Sequence, residues 1–469
     1  MKSSVLVAGA AAAIAGSVLL AQQNSTVPQP RANALPAVAP AQPKFGRTVP
    51  RPEGMLPKVP DGFTVSVYAE LPTPRQMVYA PNGDLFVSSP ADNSITVLRD
   101  KNNDGVVDER SVFAQGTPPP GRAGGGGFGG GGGGGGRRAG GPPPAPPVAA
   151  APAAVNPTVN GPLLGATAPA CTPPPEFVQK GPGQVAAPFG LAFNNGYLYV
   201  GNTASLVRFK YTNGDLKAQG EPEKLMDLPA GGHSTRNVIF NRPGTKMYVA
   251  VGSNSNNNAG EDCRRAAILE FNPDGSGYRI FASGIRNPVG LAWQPGSDTL
   301  WTAMNERDNL GDDLVPDYAT SVKDGGFYGW PYSYIGKNYD PRYAGAFPDL
   351  VNRAIVPDVL LPAHSAALGI TFYDGTQFPQ RYRNGGFVAL HGSWNRSIAN
   401  GYKVVFFPMA NGRPGPMEDF VSGMLASNGE NGTAIEAWGR PVGVTVARDG
   451  SLLVSDDGSN VIWKISAKK

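Results

Sequence analysis

The stretch from Ser283 to Trp330 groups residue types that bind an anion and a cation together. It contains the segments SGIRNPVGLAW, NERDNLGDDL and GGFYGWP. The first segment holds an Arg-Asn pair, and the second is a loop rich in carboxylates and carbonyls. Arginine offers a fixed fork to carboxylates, and oxygen-rich loops suit Ca²⁺. We therefore expect this stretch to hold an anionic ligand beside a hard cation.

The histidines are a second source of candidate chemistry, because the sequence has only three. His233, His364 and His391 each lie beside a predicted strand, in the segments GGHSTRNVIF, PAHSAALGITF and ALHGSWNRS. Histidine is the usual general base near neutral pH. A single loop histidine is more often structural, so the prediction is that at least one of the three is functional.

A second oxygen-rich loop, DKNNDGVVDE, is a candidate Ca²⁺ site with Gly105 at its sharp turn. Its oxygen-bearing side chains stand at alternating positions: Asp100, Asn102, Asp104 and Asp108. Ser111 stands where a calcium loop places its bidentate glutamate, so a metal-free hairpin turn is an equal alternative. Any Ca²⁺ bound here would be structural.

A repeated hairpin pattern must position these residues. Each copy has an apolar strand, a turn with Gly, Asn or Asp, and a second alternating strand. The six copies start at Met77, Phe189, Asn237, Val289, Ile370 and Val442. Alternation with period two is typical of hairpins, and repetition at tens of residues indicates a propeller or solenoid. We predict an all-β, six-bladed β-propeller over residues 61–469, with a β-sandwich as the alternative.

Closure of the ring is expected to use both ends of this domain. The strand GFTVSVYAEL, from Gly62, alternates well and precedes the first full copy. It would complete the sheet formed by the copy at Val442 and the final VIWKI strand. Such a shared sheet removes exposed strand edges.

Composition excludes two classes of protein. The chain has 63 Gly and 47 Pro in 469 residues, so it is rich in turns and is not a helical protein. Its net charge of +4 comes without long basic runs. Nucleic acid is therefore not an expected partner.

The N-terminal residues predict export. Residues 1–21 contain Lys2 and an apolar run, which matches a secretory signal peptide. The cleavage site is mediocre, so an uncleaved membrane anchor is the alternative, and membrane contact is expected only in that case. Residues 22–60 are rich in Pro, Ala and polar residues and are predicted to be a flexible linker. The expected location is periplasmic or secreted.

Residues 116–175 interrupt the repeats. They contain long Gly, Pro and Ala runs, which cannot bury enough apolar surface to fold, and they are predicted to be a disordered insertion. Cys171 and Cys263 are the two cysteines, and neither lies in a haem-attachment motif. They are expected to form either a disulfide or two free thiols.

As an ensemble, these segments resemble the glucose/sorbosone dehydrogenase family, β-propellers that use pyrroloquinoline quinone. The likeness covers most of residues 61–469 outside the insertion, and HGSWNR is typical of the sorbosone and pyranose branch. It implies an exported quinoprotein dehydrogenase that uses pyrroloquinoline quinone and Ca²⁺. Its substrate would be an aldose or sugar aldehyde, and its electrons would pass to an external acceptor, a cytochrome or a quinone.

The resemblance also implies roles for individual residues. His233 looks like the base that removes the hydroxyl proton during hydride transfer. The residues it assigns to the cofactor are Arg286, Asn287, His364, His391, Arg396 and Arg440. The backbone carbonyls of Arg307 and Asp308 would hold Ca²⁺, with Asp312 and Asp313 supporting their loop.

Some features depart from the family or stay open. The aspartate that backs the base in glucose-oxidising members is replaced by Ser253, followed by Asn254. Three tryptophans could stack on a flat cofactor or a sugar, although each is more often hydrophobic filler: Trp330, Trp394 and Trp438. Two other functions compete, a Ca²⁺-dependent lactone hydrolase and a non-catalytic propeller that binds a partner. The convergence of arginines favours the dehydrogenase, since a lactone needs no cluster of cations.

Overall fold

A computed structural model describes residues 30–117 and 180–468. The predicted signal peptide, most of the predicted insertion and Cys171 lie outside this part of the chain, whereas Cys263 is disulfide-bonded. The described residues are almost entirely β-structure, which confirms the predicted all-β class. Their helices are one α-helix and three 3₁₀ turns: Pro348–Val351, Pro341–Tyr343, Gln380–Tyr382 and Glu430–Gly432. None of these has the length and apolar character needed to cross a membrane.

Six sheets of four or five strands make up most of the described fold. The first contains Met77–Tyr79, Leu85–Ser89, Ser94–Arg99 and Glu109–Gln115. The second contains Pro188–Asn194, Tyr197–Asn202, Ser205–Lys210, Glu223–Asp227 and Gly181–Pro182. The third contains Val238–Phe240, Met247–Val251, Ala267–Phe271, Arg279–Ser283 and Gly326–Phe327.

The other three large sheets follow in the chain. The fourth contains Asn287–Trp293, Leu300–Asn305, Pro316–Ser321 and Val359–Ala363. The fifth contains Ala367–Phe372, Gly386–Leu390, Lys403–Phe407 and Glu418–Val421. The sixth contains Pro441–Val446, Leu452–Asp456, Val461–Ala467 and Phe63–Glu70. Smaller sheets are formed by Arg47–Thr48, Leu425–Asn428 and Ile435–Ala437, by Ser333–Tyr334 and Asn338–Tyr339, and by Met409–Ala410 and Arg413–Pro414.

The repeated hairpins of the sequence form the first two strands of each large sheet, paired antiparallel. The strand predicted near Gly62 is also confirmed, because Phe63–Glu70 pairs with Val461–Ala467 in the sixth sheet. The two ends of the domain are therefore joined in one sheet.

The first strands of the six sheets lie side by side around one axis. Each contacts the first strands of the sheets before and after it, and the first strand of the sixth sheet contacts that of the first. Four residues from these strands meet on the axis in one buried apolar cluster: Phe189, Val289, Leu368 and Val442. This cluster packs four of the six first strands against one another.

Glycine permits this close approach of neighbouring first strands. A Cβ atom at Gly290 would lie 2.4 Å from the carbonyl oxygen of Leu368, and one at Gly369 would lie 2.5 Å from that of Val442. Both contacts are with backbone, which cannot move aside as a flexible side chain does. A side chain at these positions would push the sheets apart.

The described part of the predicted linker, residues 30–60, is attached to the sheets. Arg47–Thr48 pairs in parallel with Ile435–Ala437, and the Lys58 N–H donates to Ser422 at 2.8 Å. The Ala39 N–H donates to the Leu310 carbonyl at 2.9 Å. Backbone hydrogen bonds therefore hold this segment against several sheets, which a free spacer would not show.

Replacement of Gly369 by alanine should destabilise the ring. The added Cβ would overlap the Val442 carbonyl, and overpacking of this kind costs about 1–3 kcal/mol. Gly181→Ala is the matched control, because a Cβ at Gly181 meets no atom within 4 Å. Equilibrium denaturation with urea measures both variants. Equal stability of the two would contradict the tight packing of first strands.

Candidate functional site

The candidate residues gather at one end of the ring because of strand direction. In each sheet the start of the first strand lies beside the end of the second, as Asn287 pairs with Asn305. Residues before first strands and after second strands therefore share one end, which we call the mouth. The mouth comprises residues 75–76, 186–187, 229–237, 252–257, 284–287, 305–313, 364–367, 391–400, 439–440 and 457.

Two buried arginines hold the loop that carries His233. Arg236 donates to the carbonyls of His233 at 2.6 Å and Pro229 at 2.6 Å. Arg265 donates to the carbonyls of Gly252 at 3.1 Å and Pro229 at 2.9 Å. Because these guanidinium groups are shielded from water, losing the carbonyl partners would be costly, and the loop is held in one conformation.

His233 has the features of a neutral base. Its Nδ1 lies 2.9 Å from the Ser253 carbonyl, which also accepts the His233 backbone N–H at 3.0 Å. A carbonyl only accepts, so Nδ1 carries the proton and Nε2 keeps its lone pair. Nε2 is buried and has no partner in the described residues. Burial, helped by the positive charge of Arg286, lowers the pKa of His233 to about 3.

Ser253 replaces the carboxylate expected behind the base. Its hydroxyl lies 3.1 Å from His233 Nδ1 and donates to the Ser255 carbonyl at 2.6 Å. His233 is therefore oriented by neutral groups, which do not stabilise its charged form as an aspartate would.

Asn287 lies beside His233 across Gly252. A Cβ at Gly252 would meet Asn287 Oδ1 at 2.3 Å and His233 Cβ at 2.6 Å. Asn287 Nδ2 donates to Asn305 at 3.2 Å, whereas Oδ1 is buried and unpaired within the described chain. The two residues thus pack against the same glycine, and each has a buried acceptor atom without a partner among the described residues.

Arg286 is at the mouth, but its donors are already used by protein. Nε donates to the Asn256 carbonyl at 2.9 Å, and one terminal nitrogen donates to the Glu306 carbonyl at 2.7 Å. The other donates to Asn256 Oδ1 at 3.1 Å and lies 3.6 Å from Asp308. The side chain is 3% exposed. Arg286 therefore shapes the site instead of presenting an open fork to a ligand.

Asn256 connects this arginine to the predicted calcium loop. Its Oδ1 accepts the Asp308 N–H at 2.9 Å, and its Nδ2 donates to the Asp308 carbonyl at 3.1 Å. Its own carbonyl accepts from Arg286 and from Trp330 Nε1, the latter at 2.9 Å. One asparagine side chain thus pairs with the backbone of Asp308 as a strand neighbour would.

Arg307 anchors the same loop through buried contacts. Its guanidinium is fully buried and pairs with Glu306 at 2.9 Å and Asp340 at 3.0 Å. It also donates to the carbonyls of Pro331 at 2.8 Å and Ser333 at 2.6 Å. Of the two carbonyls predicted to hold Ca²⁺, that of Asp308 already accepts one hydrogen bond, which leaves it one lone pair.

The guanidinium of Arg396 binds the loop of Asp312 and Asp313 and does not face an open site. It donates to the Asp312 carbonyl and, at 2.9 Å, to Asp313 Oδ1. Ser397 donates through its N–H to Asp312 Oδ2 at 3.1 Å. Asp312 and Asp313 therefore link their loop to residues 396–397.

The contacts of His364 are those of the charged imidazolium form. Its Nδ1 lies 3.1 Å from the Asp308 carboxylate and its Nε2 lies 2.9 Å from the Gly311 carbonyl. Both ring nitrogens face acceptors, so both must carry protons. Burial opposes the charge, but Asp308 raises the pKa of His364 above its usual value. His364 cannot act as a base or offer a free nitrogen to a cofactor.

His391 is neutral and fully occupied. Arg440 donates to its Nδ1 at 3.0 Å, so the proton lies on Nε2, which donates to Asp457 at 2.8 Å. Burial and the charge of Arg440 lower the pKa of His391 to about 4. Asp457 also pairs with Arg75, and these charges hold the pKa of Asp457 well below its usual value despite burial. Of these four groups Arg440 and Asp457 are partly exposed, and Arg440 is the one that can donate to an anionic ligand.

The three candidate tryptophans differ. Trp438 is buried, donates to the Gly423 carbonyl at 3.0 Å and packs edge-on against Trp463, so it is filler. Trp330 is buried beside Asn256. Trp394 is half-buried, and one face of its ring stacks on Phe45.

The second oxygen-rich loop closes on itself. Asp100 accepts the Gly105 N–H at 2.7 Å, and Asp108 accepts the Lys101 N–H at 2.6 Å. The ammonium of Lys464 donates to the Gly105 carbonyl at 2.8 Å. Asn102 and Asp104 bond within the loop in the same way. The described chain has no group of three acidic, His or Cys side chains arranged for a metal.

Buried polar atoms without a protein partner are concentrated at the mouth. Among the described residues they include His233 Nε2, Asn287 Oδ1, Asp312 Oδ1, Asn395 Nδ2 and Asn400 Oδ1. Each such group left unsatisfied costs about 1–3 kcal/mol. Water or a polar ligand must complete them.

Sequence reasoning missed several residues of the site. Asn256 stands in the run SNSNNN, where nothing distinguishes it from its neighbours. Arg75 and Asp457 had a usable signal: Arg75 comes just before a first strand, as Arg286 and Arg440 do, and Asp457 directly follows a second strand. Comparison of equivalent repeat positions would have identified both.

The fold and mouth define an all-β ring whose arginine-rich end carries a neutral, unpaired histidine. A family model described as glucose/sorbosone dehydrogenase matches residues 199–393, which include that histidine, and one described as TrAA12-like matches residues 350–468. The predicted resemblance to the glucose/sorbosone dehydrogenase family is confirmed.

Curated relatives agree with this family. The pyrroloquinoline quinone-dependent pyranose dehydrogenase of Coprinopsis cinerea is 36% identical over 299 residues, covering 50% of this chain and 39% of that protein. The aldose sugar dehydrogenase of Escherichia coli is 28% identical over 173 residues, covering 34% and 45%. An uncharacterized protein of Borreliella burgdorferi is 34% identical over 243 residues, covering 50% and 61%. The chain thus spans less than two thirds of the length of these relatives.

Solved structures share the fold. The calcium structure of a Trichoderma reesei carbohydrate-active enzyme of family AA12 has a TM-score of 0.63 at 16% identity, covering 88% of this chain and 97% of that one. The holo pyranose dehydrogenase domain of Coprinopsis cinerea has a TM-score of 0.62 at 19% identity, covering 89% and 98%. The pyrroloquinoline quinone-bound aldose sugar dehydrogenase of Streptomyces coelicolor has a TM-score of 0.52 at 16% identity, covering 87% and 99%. At these identities the likeness is one of fold.

The three histidines should show three different protonation states. At pH 7 we expect His233 neutral with the proton on Nδ1, His391 neutral with the proton on Nε2, and His364 charged. Lowering the pH from 7 to 5 should leave His233 unchanged, since its pKa of about 3 lies below this range. Long-range ¹H–¹⁵N NMR of the imidazoles measures this, with one His→Gln variant at a time for assignment. Titration of His233 near pH 6.5 would contradict its neutral, buried state.

Proposed function

We propose that the chain is a six-bladed propeller whose mouth binds pyrroloquinoline quinone and Ca²⁺ and oxidises an aldose or sugar aldehyde. The observation that carries the proposal is the neutral His233, whose Nε2 is buried and has no partner among the described residues, on a loop that packs with Asn287 around Gly252 at the mouth. Both residues fall inside the segment that matches the dehydrogenase family. The six large sheets would be the six blades.

The residues of the mouth fit such a cofactor in three respects. Unpaired buried polar atoms offer contacts to a polar ligand, and Gly252 lets His233 and Asn287 pack directly against its backbone at the mouth. The partly exposed Arg440 is positioned through His391 and can meet a carboxylate. The carbonyls of Arg307 and Asp308 would hold Ca²⁺ on a loop fixed by Asn256.

The contribution of the protein is to move a proton at a defined atom. When bound, the quinone with its Ca²⁺ supplies the hydride acceptor for the substrate carbon. His233 Nε2 would accept the hydroxyl proton of the substrate, because it is neutral and the Ser253 carbonyl fixes the proton of Nδ1. The cation formed would be stabilised less than beside a carboxylate, so this base should release its proton readily.

Two further parts of the proposal follow from the predicted N-terminus and chemistry. Residues 1–21 favour export, so we place the enzyme in the periplasm or outside the cell. The two electrons taken from the sugar must leave the protein, and an external cytochrome or quinone would accept them. Oxidation of the sugar and reduction of that carrier then balance.

Reconstitution tests the function. Purified protein should bind pyrroloquinoline quinone in the presence of CaCl₂, with a change in the absorbance of the cofactor, and then reduce dichlorophenolindophenol with sugars from an aldose and aldehyde panel. A chelator should weaken cofactor binding before it unfolds the protein, because packing of apolar strand residues, and not Ca²⁺, stabilises the core. If the cofactor binds but no sugar is oxidised, the result favours a binding module. If the cofactor does not bind, the result favours the lactone hydrolase or a non-catalytic propeller.

Replacement of His233 by alanine should separate catalysis from binding. Loss of a positioned base lowers turnover by about 10²- to 10⁴-fold, while cofactor affinity should survive. Arg440→Ala should instead weaken cofactor binding, since it removes a charged contact. Steady-state kinetics and absorbance titration measure the two effects. If His233→Ala keeps normal turnover while His364→Gln or His391→Gln loses it, the base is on another sheet.

A further inference from the structure

We propose that Phe45 and Trp394 form a stacking subsite for a sugar ring of an oligosaccharide whose terminal unit enters the mouth. The proposal names the substrate class of the dehydrogenase proposed above and rests on that function. Phe45 belongs to the N-terminal segment that precedes the repeated sheets. It is therefore not part of the ring itself.

Phe45 is unusual in its exposure. Its side chain is 68% exposed, and no other aromatic residue of the described chain is among the exposed large hydrophobic residues. Its ring stacks on Trp394 with a centroid separation of 5.8 Å and an interplanar angle of 16°. An exposed phenyl ring costs free energy in water unless a partner covers it. The free face of this pair therefore offers a flat apolar surface.

The backbone around Phe45 is fixed on both sides. The Lys44 N–H donates to the Arg396 carbonyl at 3.1 Å, and its ammonium donates to the Gly429 carbonyl at 3.0 Å. A Cβ at Gly46 would lie 2.6 Å from the Ile435 side chain, so the chain packs tightly there. Arg47 Nε donates to Glu436 at 2.8 Å. The ring is thus presented to solvent by a rigid segment, which lowers the entropy cost of binding.

The aromatic pair lies at the rim of the mouth. Trp394 comes three residues after His391 and two before Arg396, whose guanidinium binds Asp313 at 2.9 Å. The Asp313 side chain is 60% exposed and keeps acceptor capacity toward solvent. An apolar face with exposed acceptors beside it suits a pyranose ring, which has an apolar C–H face and hydroxyl groups around its edge.

Calorimetric titration of the protein without cofactor tests the subsite. The probes are D-glucose, cellotetraose and maltotetraose. We expect at least one tetrasaccharide to bind more tightly than glucose. Phe45→Ala should weaken that binding by about 3- to 10-fold, the range for loss of one aromatic contact, and leave the glucose affinity unchanged. Phe45→Leu should weaken it as well, because it keeps apolar bulk and loses the flat face, whereas Phe45→Tyr should preserve it.

Val112→Ala is the matched control, since Val112 is 46% exposed and lies on an outer strand of the first sheet. It should leave all affinities unchanged. The subsite is refuted if neither tetrasaccharide binds better than glucose, if Phe45→Ala binds as the wild type does, or if that variant affects only the rate with a protein electron acceptor.

The binding test is independent of the proposed activity. Tetrasaccharide binding that depends on Phe45, without oxidation of any sugar after reconstitution, would refute the dehydrogenase and leave the subsite. Oxidation of sugars with no effect of Phe45→Ala on binding would refute the subsite and leave the dehydrogenase. Circular dichroism of each variant confirms that the fold is retained.

Discussion

The mouth depends on buried arginines that donate to backbone carbonyls. A guanidinium group that is removed from water must recover its hydrogen bonds from the protein. Here the backbone carbonyls of loops accept these hydrogen bonds. Arg236 and Arg265 hold the loop of His233, while Arg286 and Arg307 hold the loop that follows the fourth sheet's second strand. Without them, segments rich in Gly and Asn would have no fixed shape, and His233 would lose its position.

Electrostatics divide the histidines into different roles, although their sequence contexts are alike. Each lies next to a strand or its loop, and spacing alone cannot rank them. Their hydrogen-bond partners distinguish them: His364 faces two acceptors, His391 lies between a donor and an acceptor, and His233 has one acceptor at Nδ1 and a buried Nε2 without a partner among the described residues. Only the last arrangement leaves a lone pair for chemistry. The assignment of His364 and His391 to direct cofactor contact therefore has no free ring nitrogen to support it.

Most of the described fold was predictable because its physical signals are local. Alternating apolar residues and Gly or Asn turns fix each hairpin, and the strand from Phe63 carries the same alternation. The roles of Arg286 and Arg396 were not predictable, because sequence does not show whether an arginine's donors are taken by carbonyls of a distant loop. Residues 30–60 have the composition of a spacer, yet contacts at Ala39 and Lys58 hold them against the sheets.

The apolar cluster on the axis explains where specificity must lie. Phe189, Val289, Leu368 and Val442 close the ring between its two ends. A cleft of about 600 Å³ at the opposite end is lined by residues such as Ile239 and Val444 and contains none of the candidate residues. The candidate residues therefore lie at the mouth and do not line this cleft. The ring is common to structures with very different sequences, so features particular to this chain must come from segments at the mouth and from the N-terminal segment.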